Sequence, residues 1–405
     1  MEKTIVFPEN FLWGTATSAY QVEGGIENCD WAKVYPAGLA CDHYHLFEKD
    51  FDLMKSLNQN SCRFSLEWSR IEPRPGYFDE KEIAHYRQVL TALKSRGFKT
   101  IVTLFHFTLP LWLADIGGFA SRRTVFYFSR FSEKVFREYQ PLVDFWITIN
   151  EPLIYAFAMF PLVNKKPALF TPLEVRSAVD GTADARGVSP LTGFTSLKVA
   201  INQLAGHKKV YKLFHRLDPK AKVGIAKNNS YFEPLNRDSF LDRLGTAVCR
   251  YVWNDWFMNR IKKHLDFIGL NYYFHQRIKF PYSLKNENRA VSDLGWEIYP
   301  EGIYQVLKKL KRYNLPVYIT ENGLADAGDR QRPDFIKSHL LWIFAALKEG
   351  VDIRGYFHWS LNDNFEWEKG FAPRFGLVEV DYKTLERKPR PSAYYYAEIC
   401  KNNSL

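Results

Sequence analysis

The chain has 405 residues, of which 46% are hydrophobic, enough for one large α/β barrel or for two or three smaller domains. Lys and Arg exceed Asp and Glu by 55 to 45, which gives a formal net charge of +10. The basic residues alternate with acidic ones and form no long run, so the charge is typical of a solvated surface and argues against a nucleic-acid partner.

Strand-like and helix-like segments alternate along the chain. The predicted strands are 11–17, 61–68, 100–105, 145–149, 223–226, 267–272, 317–320 and 353–359. Helical spacing of apolar residues predicts helices at 43–57, 83–93, 125–139, 196–217, 241–261, 303–310, 336–347 and 392–401. With no linker-like change in composition, this alternation predicts an α/β fold, a single (β/α)8 TIM barrel over residues 1–405. A doubly wound open sheet is the alternative, but it would need an early glycine-rich phosphate loop, and the sequence has none.

The alternation is interrupted between residues 161 and 193. This stretch is rich in Pro, Gly, Ser and Asp and shows no sustained period. It predicts an atypical loop after the fourth strand. Our hypothesis is that this loop is mobile and leaves the barrel mouth more open.

Two of the predicted strands end at a glutamate. The apolar segment 145–149 leads to Glu151, which is followed by a proline, and 318–320 leads to Glu321, which is followed by an Asn-Gly turn signal. A single strand-end glutamate is more often a surface or ion-paired residue. Two of them, each in an apolar context, indicate catalytic carboxylates, because barrels carry their catalytic groups at the carboxyl ends of strands. A pair of carboxylates is the minimum for cleaving a glycosidic bond.

The other strand ends carry hydrogen-bonding and aromatic residues. They are Gln21 and Glu23 after the first strand, Arg63 on the second, His106 after the third, Asn150 on the fourth, Asn271 to Tyr273 after the sixth, and Trp359, Glu366 and Trp367 after the eighth. Without a phosphate loop or a metal-ligand cluster, this set favours sugar recognition and cleavage. As alternatives, the histidine and the tryptophans could be core residues, and the arginine could neutralise a buried acid.

Seven motifs follow one another along the chain: FLWGTATSAYQVEG, CRFSLEWSRI, TLFHFTLPLW, TINEP, GLNYY, YITENGLAD and HWSLNDNFEWEKGFAPRFGL. In this order they resemble the signatures of glycoside hydrolase family 1, the retaining β-glycosidases, from about residue 5 to residue 398. The resemblance implies a β-linked glucoside or oligosaccharide as substrate, with no cofactor and no metal.

The resemblance also assigns roles to the strand-end residues. Glu151 matches the general acid/base and Glu321 the nucleophile, while Arg63 and Tyr273 match residues that stabilise the nucleophile in its ionised form. The positions that match sugar-binding residues are Gln21, His106, Asn150 and Glu366 for the hydroxyl groups, Trp359 for the floor under the ring and Trp367 for its far edge. In a retaining enzyme the two carboxyl groups are expected to lie about 5 to 5.5 Å apart.

Three features bear on specificity. Branches of the family that take 6-phosphorylated sugars usually have a Ser with nearby Lys and Tyr where this chain has Glu366, so the sequence favours unphosphorylated β-glucosides or related β-sugars. Phe107 stands where relatives usually have Trp, and the family's Pro-Pro-Gly run after TINEP is missing. A sugar-binding barrel without turnover is the alternative, although one of the two glutamates would typically be replaced in such a protein.

The cysteines and the N-terminus indicate the compartment. The five cysteines are scattered, with no C-x-x-C pair, which argues against a disulfide scaffold or a zinc site and favours reduced thiols. MEKTIVFPENF has no apolar signal segment, and no apolar run approaches the roughly 18 residues of a membrane span. The sequence therefore predicts a cytoplasmic protein without a membrane partner, and it leaves the preferred sugar epimer, the aglycone and the oligomeric state open.

Overall fold

Eight parallel strands form a closed barrel in the computed structural model, which describes residues 5–164, 190–280 and 283–405. The barrel strands are β1 (Leu12–Ala16), β2 (Ser61–Ser65), β3 (Lys99–Phe105), β4 (Phe145–Asn150), β5 (Val223–Asn228), β6 (Phe267–Asn271), β7 (Val317–Asn322) and β8 (Ile353–Trp359). Each strand pairs with the next along the chain, and β8 pairs with β1. The predicted (β/α)8 barrel is therefore confirmed.

Helices surround the barrel. The longer ones are α1 (His43–Ser56), α2 (Glu80–Ser95), α3 (Arg123–Tyr139), α4 (Pro190–Leu217), α5 (Phe240–Arg250), α6 (Glu301–Leu310), α7 (Arg332–Lys348) and α8 (Pro391–Asn402). Shorter helical segments are Ala19–Val22, Trp31–Lys33, Trp68–Ile71, Leu111–Asp115, Gly118–Ala120, Gln140–Leu142, Pro152–Ile154, Tyr155–Met159, Phe160–Val163, Tyr251–Asp255, Trp256–Ile261, Lys311–Tyr313 and Trp367–Lys369. Within the described residues, the helices lack the combination of length and apolar character that crossing a bilayer requires.

Helix α2 shows how the sequence fixes one of these elements. The Asp79 side chain accepts hydrogen bonds from the backbone N–H groups of Lys81 and Glu82, which satisfies two donors at the helix start. Ile83, Leu90 and other apolar residues at helical spacing then face the barrel and are buried. The helix thereby buries one stripe against the strands, as its periodicity predicts.

Burial on both faces explains the apolar strands and the placement of polar groups at their ends. Every residue of β4 and of β7 is buried. One apolar layer packs between strands and helices, and a second layer, which includes Ile147 and Phe357, fills the barrel interior.

Beyond β7 the chain passes so close to β8 that a Cβ on Gly323 would lie 1.8 Å from the backbone oxygen of Trp359. Glycine is therefore required directly after Glu321 and Asn322.

Several local predictions are wrong. Two small sheets were not predicted: Tyr231–Pro234 with His275–Lys279 and Ser283–Leu284, and Val378–Val380 with Arg387–Pro389. The predicted helix 241–261 is divided by the π-helical segment Tyr251–Asp255, and the second strand ends at Ser65, three residues early.

The predicted loop 161–193 is helical at both of its ends. Phe160–Val163 and the start of α4 at Pro190 have helical backbones. The centre of that loop, residues 165–189, lies outside the described residues. Its predicted mobility therefore stays a prediction.

Candidate active site

The carboxyl ends of the barrel strands surround one cavity. Nine of the ten site residues predicted from the sequence line it: Gln21, His106, Asn150, Glu151, Tyr273, Glu321, Trp359, Glu366 and Trp367. Arg63, the tenth, is fully buried on β2 and reaches the cavity through its contacts with Glu321 and Asn150. The structure therefore brings together all ten residues. Glu23 lies elsewhere, because its carboxylate pairs with Arg70 and accepts a hydrogen bond from Tyr86.

Glu321 is held by a cation and a phenol. Arg63 Nη1 lies 2.5 Å from Glu321 Oε1, and the Tyr273 hydroxyl donates to Oε2 at 3.0 Å. Burial raises the pKa of the Glu321 carboxyl, while the Arg63 charge and the hydrogen bonds from Arg63 and Tyr273 oppose that increase. A fully buried guanidinium next to this carboxyl favours its ionised form, because the alternative would leave the arginine charge unpaired.

Glu151 occupies a different environment from Glu321. It has a left-handed backbone with φ of +42°, and its N–H donates to the Ala226 oxygen of the neighbouring strand. Its Oε1 accepts hydrogen bonds from the amides of Asn271 at 2.8 Å and Asn228 at 3.2 Å. Burial and the negative charge of Glu321 raise the pKa of Glu151 to about 7, and the two amides limit the increase.

Two asparagines connect the surroundings of the two carboxyl groups. Asn150 Oδ1 accepts from Arg63 at 2.7 Å and from Asn271 at 3.1 Å, while the same Asn271 amide reaches Glu151. The cation that contacts Glu321 thus also contacts the residue next to Glu151. Because two negative charges on Glu151 and Glu321 would repel each other, a single negative charge on the pair is favoured. The positive charge of Arg63 stabilises that negative charge on Glu321.

His106 is neutral and lies beside Asn150. Burial and the nearby Arg63 charge lower the pKa of its imidazole well below the usual value. Since Asn150 Oδ1 already accepts two hydrogen bonds, its Nδ2 is assigned as the donor to His106 Nε2 at 3.1 Å. The ring proton then lies on Nδ1, which has no hydrogen-bond partner among the described residues.

Aromatic rings form one wall of the cavity. The His106 ring is nearly parallel to those of Trp359 and Trp367, with centroids 6.0 and 6.2 Å away. Phe107 also lines the cavity and contacts Trp367 at a centroid distance of 5.2 Å. Flat apolar surfaces next to hydrogen-bonding groups suit a sugar ring, which has apolar faces and a polar edge.

Glu366 and Gln21 form the polar edge of the cavity. Gln21 Nε2 lies 3.2 Å from Glu366 Oε2 and also donates to the backbone oxygen of Phe365. Burial and the nearby charges of Glu368 and Glu321 raise the pKa of Glu366 to about 8. At neutral pH this carboxyl is therefore mostly protonated and can both donate and accept hydrogen bonds. Across residues 5–164, 190–280 and 283–405, no group of three or more His, Cys, Asp or Glu side chains is arranged to hold a metal ion.

Comparison with known proteins identifies the family of this chain. The model of the family described as "Glycosyl hydrolase family 1" matches residues 3–261 and 254–405. The chain belongs to glycosyl hydrolase family 1. "Beta-glucosidase A" of Thermotoga maritima is 32% identical over 465 residues, and the alignment covers 98% of this chain and 98% of that protein. "Beta-galactosidase" of Sulfolobus acidocaldarius is 32% identical over 497 residues, covering 98% of this chain and 96% of that protein.

Solved structures of the family have the same architecture. The "beta-glycosidase from Pyrococcus horikoshii" is 37% identical and has a TM-score of 0.87, covering 99% of this chain and 96% of that one. Membership of family 1, which the seven motifs predicted, is thus confirmed for the whole chain.

Sequence reasoning missed part of this family 1 site, at the end of β5. Asn228 donates to Glu151, and the adjacent Lys227 is almost fully buried. Its ammonium donates to the Asn228 backbone oxygen and lies 5.4 Å from the Trp253 ring centroid. Burial lowers the pKa of Lys227 to about 7. The strand-end rule applied to the other strands would have found both residues had the predicted fifth strand not stopped at 226.

Proposed function

We propose that this protein hydrolyses terminal β-glycosidic bonds of unphosphorylated sugars, as a β-glucosidase, by a retaining double displacement. The single observation that carries this proposal is the unequal environment of two buried carboxyl groups in one cavity. Glu321 has a paired cation, whereas the hydrogen-bond partners of the Glu151 carboxyl among the described residues are neutral amides. Burial and the charge of Glu321 raise the pKa of Glu151 to about 7. Such a difference separates a nucleophile from an acid.

In the first step, the Glu321 carboxylate attacks the anomeric carbon and forms an ester bond to it. The bond between that carbon and the departing oxygen breaks, and the Glu151 proton passes to the oxygen. Arg63 and Tyr273 keep Glu321 ionised before the attack. As the ester forms, negative charge leaves Glu321, and its contribution to the raised pKa of Glu151 disappears.

In the second step, Glu151 acts as a base. Its pKa falls once Glu321 is esterified, so the carboxylate form can take a proton from water. The water oxygen attacks the anomeric carbon from the face that the leaving group vacated, and the ester bond breaks. Two inversions give a product with the β configuration of the substrate.

The remaining cavity residues bind the sugar. Gln21, His106, Asn150 and Glu366 supply hydrogen bonds to hydroxyl groups, Trp359 supports the ring, and Trp367 borders its edge. Glu366 and Glu368 both line the cavity. A phosphoryl group beside Glu366 would meet the negative charge of this carboxyl whenever it is ionised, which supports an unphosphorylated sugar. The relatives named beta-glucosidase and beta-galactosidase differ in the sugar epimer that their names state, and we propose a preference for glucosides.

A panel of aryl β-glycosides tests the proposal. We expect hydrolysis of the gluco substrate at a higher kcat/KM than the galacto and fuco substrates, with negligible hydrolysis of the 6-phospho-gluco substrate. The first-formed sugar, observed by NMR before mutarotation, should be the β-anomer. A first-formed α-anomer would refute the retaining mechanism, and inactivity on the entire panel would favour a sugar-binding protein without turnover.

Lys227 gives a prediction for the pH dependence. Its positive charge lowers the pKa of Glu151. Because activity requires protonated Glu151, it is lost as pH rises through that pKa. Replacing Lys227 with Met removes the charge and raises the pKa of Glu151, so the basic limb of kcat/KM should move upward. The shift should be at most about 0.5 pH unit, because the pKa of Lys227 is also about 7 and the lysine is only partly charged across this limb. The measurement is a pH profile with a poor leaving group.

Lys222→Met is the matched control for Lys227→Met. Lys222 lies just before β5, at the opposite end of the same strand, with its ammonium 4.9 Å from the Phe145 ring centroid. Its replacement should leave the basic limb unchanged. A folded Lys227→Met variant whose basic limb stays in place, or moves to lower pH, would contradict the assigned role of this charge.

A further inference from the structure

Helix α5 directs its small and polar residues inward. Asp242, Gly245, Thr246 and Cys249 are buried on the side that faces the small sheet formed by Tyr231–Pro234 and His275–Lys279. The Asp242 carboxylate accepts hydrogen bonds from the backbone N–H groups of Phe280 and Asn236. A Cβ on Gly245 would lie 3.4 Å from the Ile278 side chain, so the helix packs closely on the sheet. The inner face is thus fixed by polar contacts and close packing.

The large apolar side chains of this helix point to solvent. We define the apolar face as the exposed residues Leu235, Phe240, Leu241, Leu244, Val248, Tyr251, Val252 and Phe280. Six of them, from Phe240 to Val252, recur at helical spacing on one side of α5 and its π-helical extension. Phe240 is 67% exposed and Leu244 is 46% exposed. A helix on a folded protein normally turns such a stripe inward, so a contiguous outward stripe marks an interaction surface.

The stretch of sequence that carries the apolar face has an excess of positive charge. Residues 235–285 contain nine Lys and Arg (237, 243, 250, 260, 262, 263, 277, 279 and 285) and four Asp and Glu (238, 242, 255 and 266), a net charge of 9 − 4 = +5. These 51 residues therefore carry half of the formal net charge of +10 of the whole chain. Arg237, Arg243, Lys279 and Lys285 are exposed, as is the acidic Asp238, and Arg237 lies 3.3 Å from Glu233. Asp242 is buried in backbone contacts, so the exposed border keeps an excess of positive charge.

We propose that the apolar face binds a membrane surface rich in anionic phospholipid, with α5 lying in the plane of the interface. The aliphatic and aromatic side chains would enter the boundary between headgroups and acyl chains, and the flanking Arg and Lys side chains would contact the phosphates. This surface adds a location to the proposed hydrolase and is independent of its chemistry, since no residue of the apolar face lines the catalytic cavity.

The charge pattern favours a lipid surface over a second copy of the chain. A two-fold symmetric dimer through this face would place the same cationic border against itself, and like charges across an interface oppose association. An anionic membrane instead neutralises the border. The sequence prediction of no membrane partner rested on spanning segments, and the apolar face is a property of the folded surface.

Co-sedimentation with vesicles tests the proposal on the full-length protein. We expect binding to vesicles of phosphatidylcholine mixed with phosphatidylglycerol, weakened by salt, and much weaker binding to pure phosphatidylcholine. Replacing Leu244 and Val248 together with Ser should reduce partitioning at least about tenfold, because both side chains lose apolar area that enters the membrane. Replacing Arg237 and Arg243 together with Gln should weaken binding several-fold and flatten its salt dependence.

Tyr394→Ser is the matched control, because Tyr394 is an exposed aromatic residue on α8, outside the apolar face. This variant should bind vesicles like wild type, and every variant should keep wild-type hydrolysis of a soluble aryl glycoside, which also reports folding. The proposal is overturned if the wild-type protein does not bind anionic vesicles. It is also overturned if the Leu244/Val248 variant binds them as strongly as the wild type. A dimer in solution that this variant dissociates, without vesicle binding, assigns the face to a second copy instead.

Discussion

Glu321→Ala is expected to abolish hydrolysis, with kcat reduced at least about 10⁴-fold on aryl β-glucosides of every leaving-group quality. Without this carboxylate no covalent intermediate can form, and among the described residues that line the cavity no second carboxylate has a paired cation. Added azide should restore part of the activity by attacking from the space that the side chain vacates, and it should give an α-glycosyl azide. The measurements are steady-state kinetics and NMR of that product.

The same substitution should also change stability. Removing Glu321 leaves the fully buried Arg63 without its anionic partner, and breaking a buried ion pair from one side typically costs about 3 to 5 kcal/mol. Glu321→Gln keeps the shape and a hydrogen-bond acceptor, and it serves as the second variant if the alanine protein unfolds. Folded Glu321→Ala with near wild-type turnover would refute the nucleophile assignment, whereas a loss confined to KM would indicate a binding role.

The barrel and its two glutamates could be predicted because parallel strands buried on both faces produce continuous apolar runs. In β4 and β7 such a run ends at a single acid followed by a chain-turning signal, Pro152 or Gly323. Burial and position therefore follow from the pattern alone. The partners of Glu321 came from the family resemblance, and the structure brings Arg63 and Tyr273 within hydrogen-bonding distance of Glu321.

The end of β5 shows why the rest of the site was missed. Lys227 and Asn228 interrupt the apolar run, so the predicted strand stopped at 226, yet their side chains are only 1% and 2% exposed. A polar residue at a buried strand end and one in a solvent loop look alike in sequence. The difference lies in long-range contacts, here with Glu151 and Trp253, which local patterns do not contain.

Helix α5 shows a second limit of periodicity. Apolar residues at helical spacing predict that a segment is helical and that its apolar stripe is buried. They do not identify the surface that packs against that stripe. The stripe of α5 faces outward because the inner positions, including Asp242 and Thr246, are occupied by groups that bond to the adjacent backbone. The small sheet beneath the helix also went unpredicted, since its strands have five residues or fewer and lack long apolar runs.

Glu151→Gln is expected to separate substrates by their leaving groups. For an alkyl glucoside, whose departing oxygen needs a proton, kcat/KM should fall by about 10³ to 10⁴-fold. For a dinitrophenyl glucoside, whose phenolate leaves unprotonated, kcat/KM should change little. For the latter substrate kcat should still fall, because the second step has lost its base. A leaving-group series measured on wild type and variant tests this.

The pH profile of the same variant follows from the pKa of about 7 for Glu151. Wild-type kcat/KM on a poor leaving group should fall as pH rises through that value, because the protonated acid is the active form. In Glu151→Gln the amide does not titrate in this range, so the residual kcat/KM of the variant on the same poor leaving group should lack this basic limb.

Glu366→Gln is the matched control, because it replaces another buried carboxyl of the same cavity with an amide. Glu366 pairs with Gln21 at the sugar-binding edge. Its replacement should therefore lower kcat/KM for the alkyl and the dinitrophenyl substrate by the same factor. If Glu151→Gln also lowered kcat/KM by the same factor for every leaving group, Glu151 would bind the sugar without protonating the departing oxygen. Only a residue that delivers the proton in the transition state makes the size of the loss depend on the basicity of the departing oxygen.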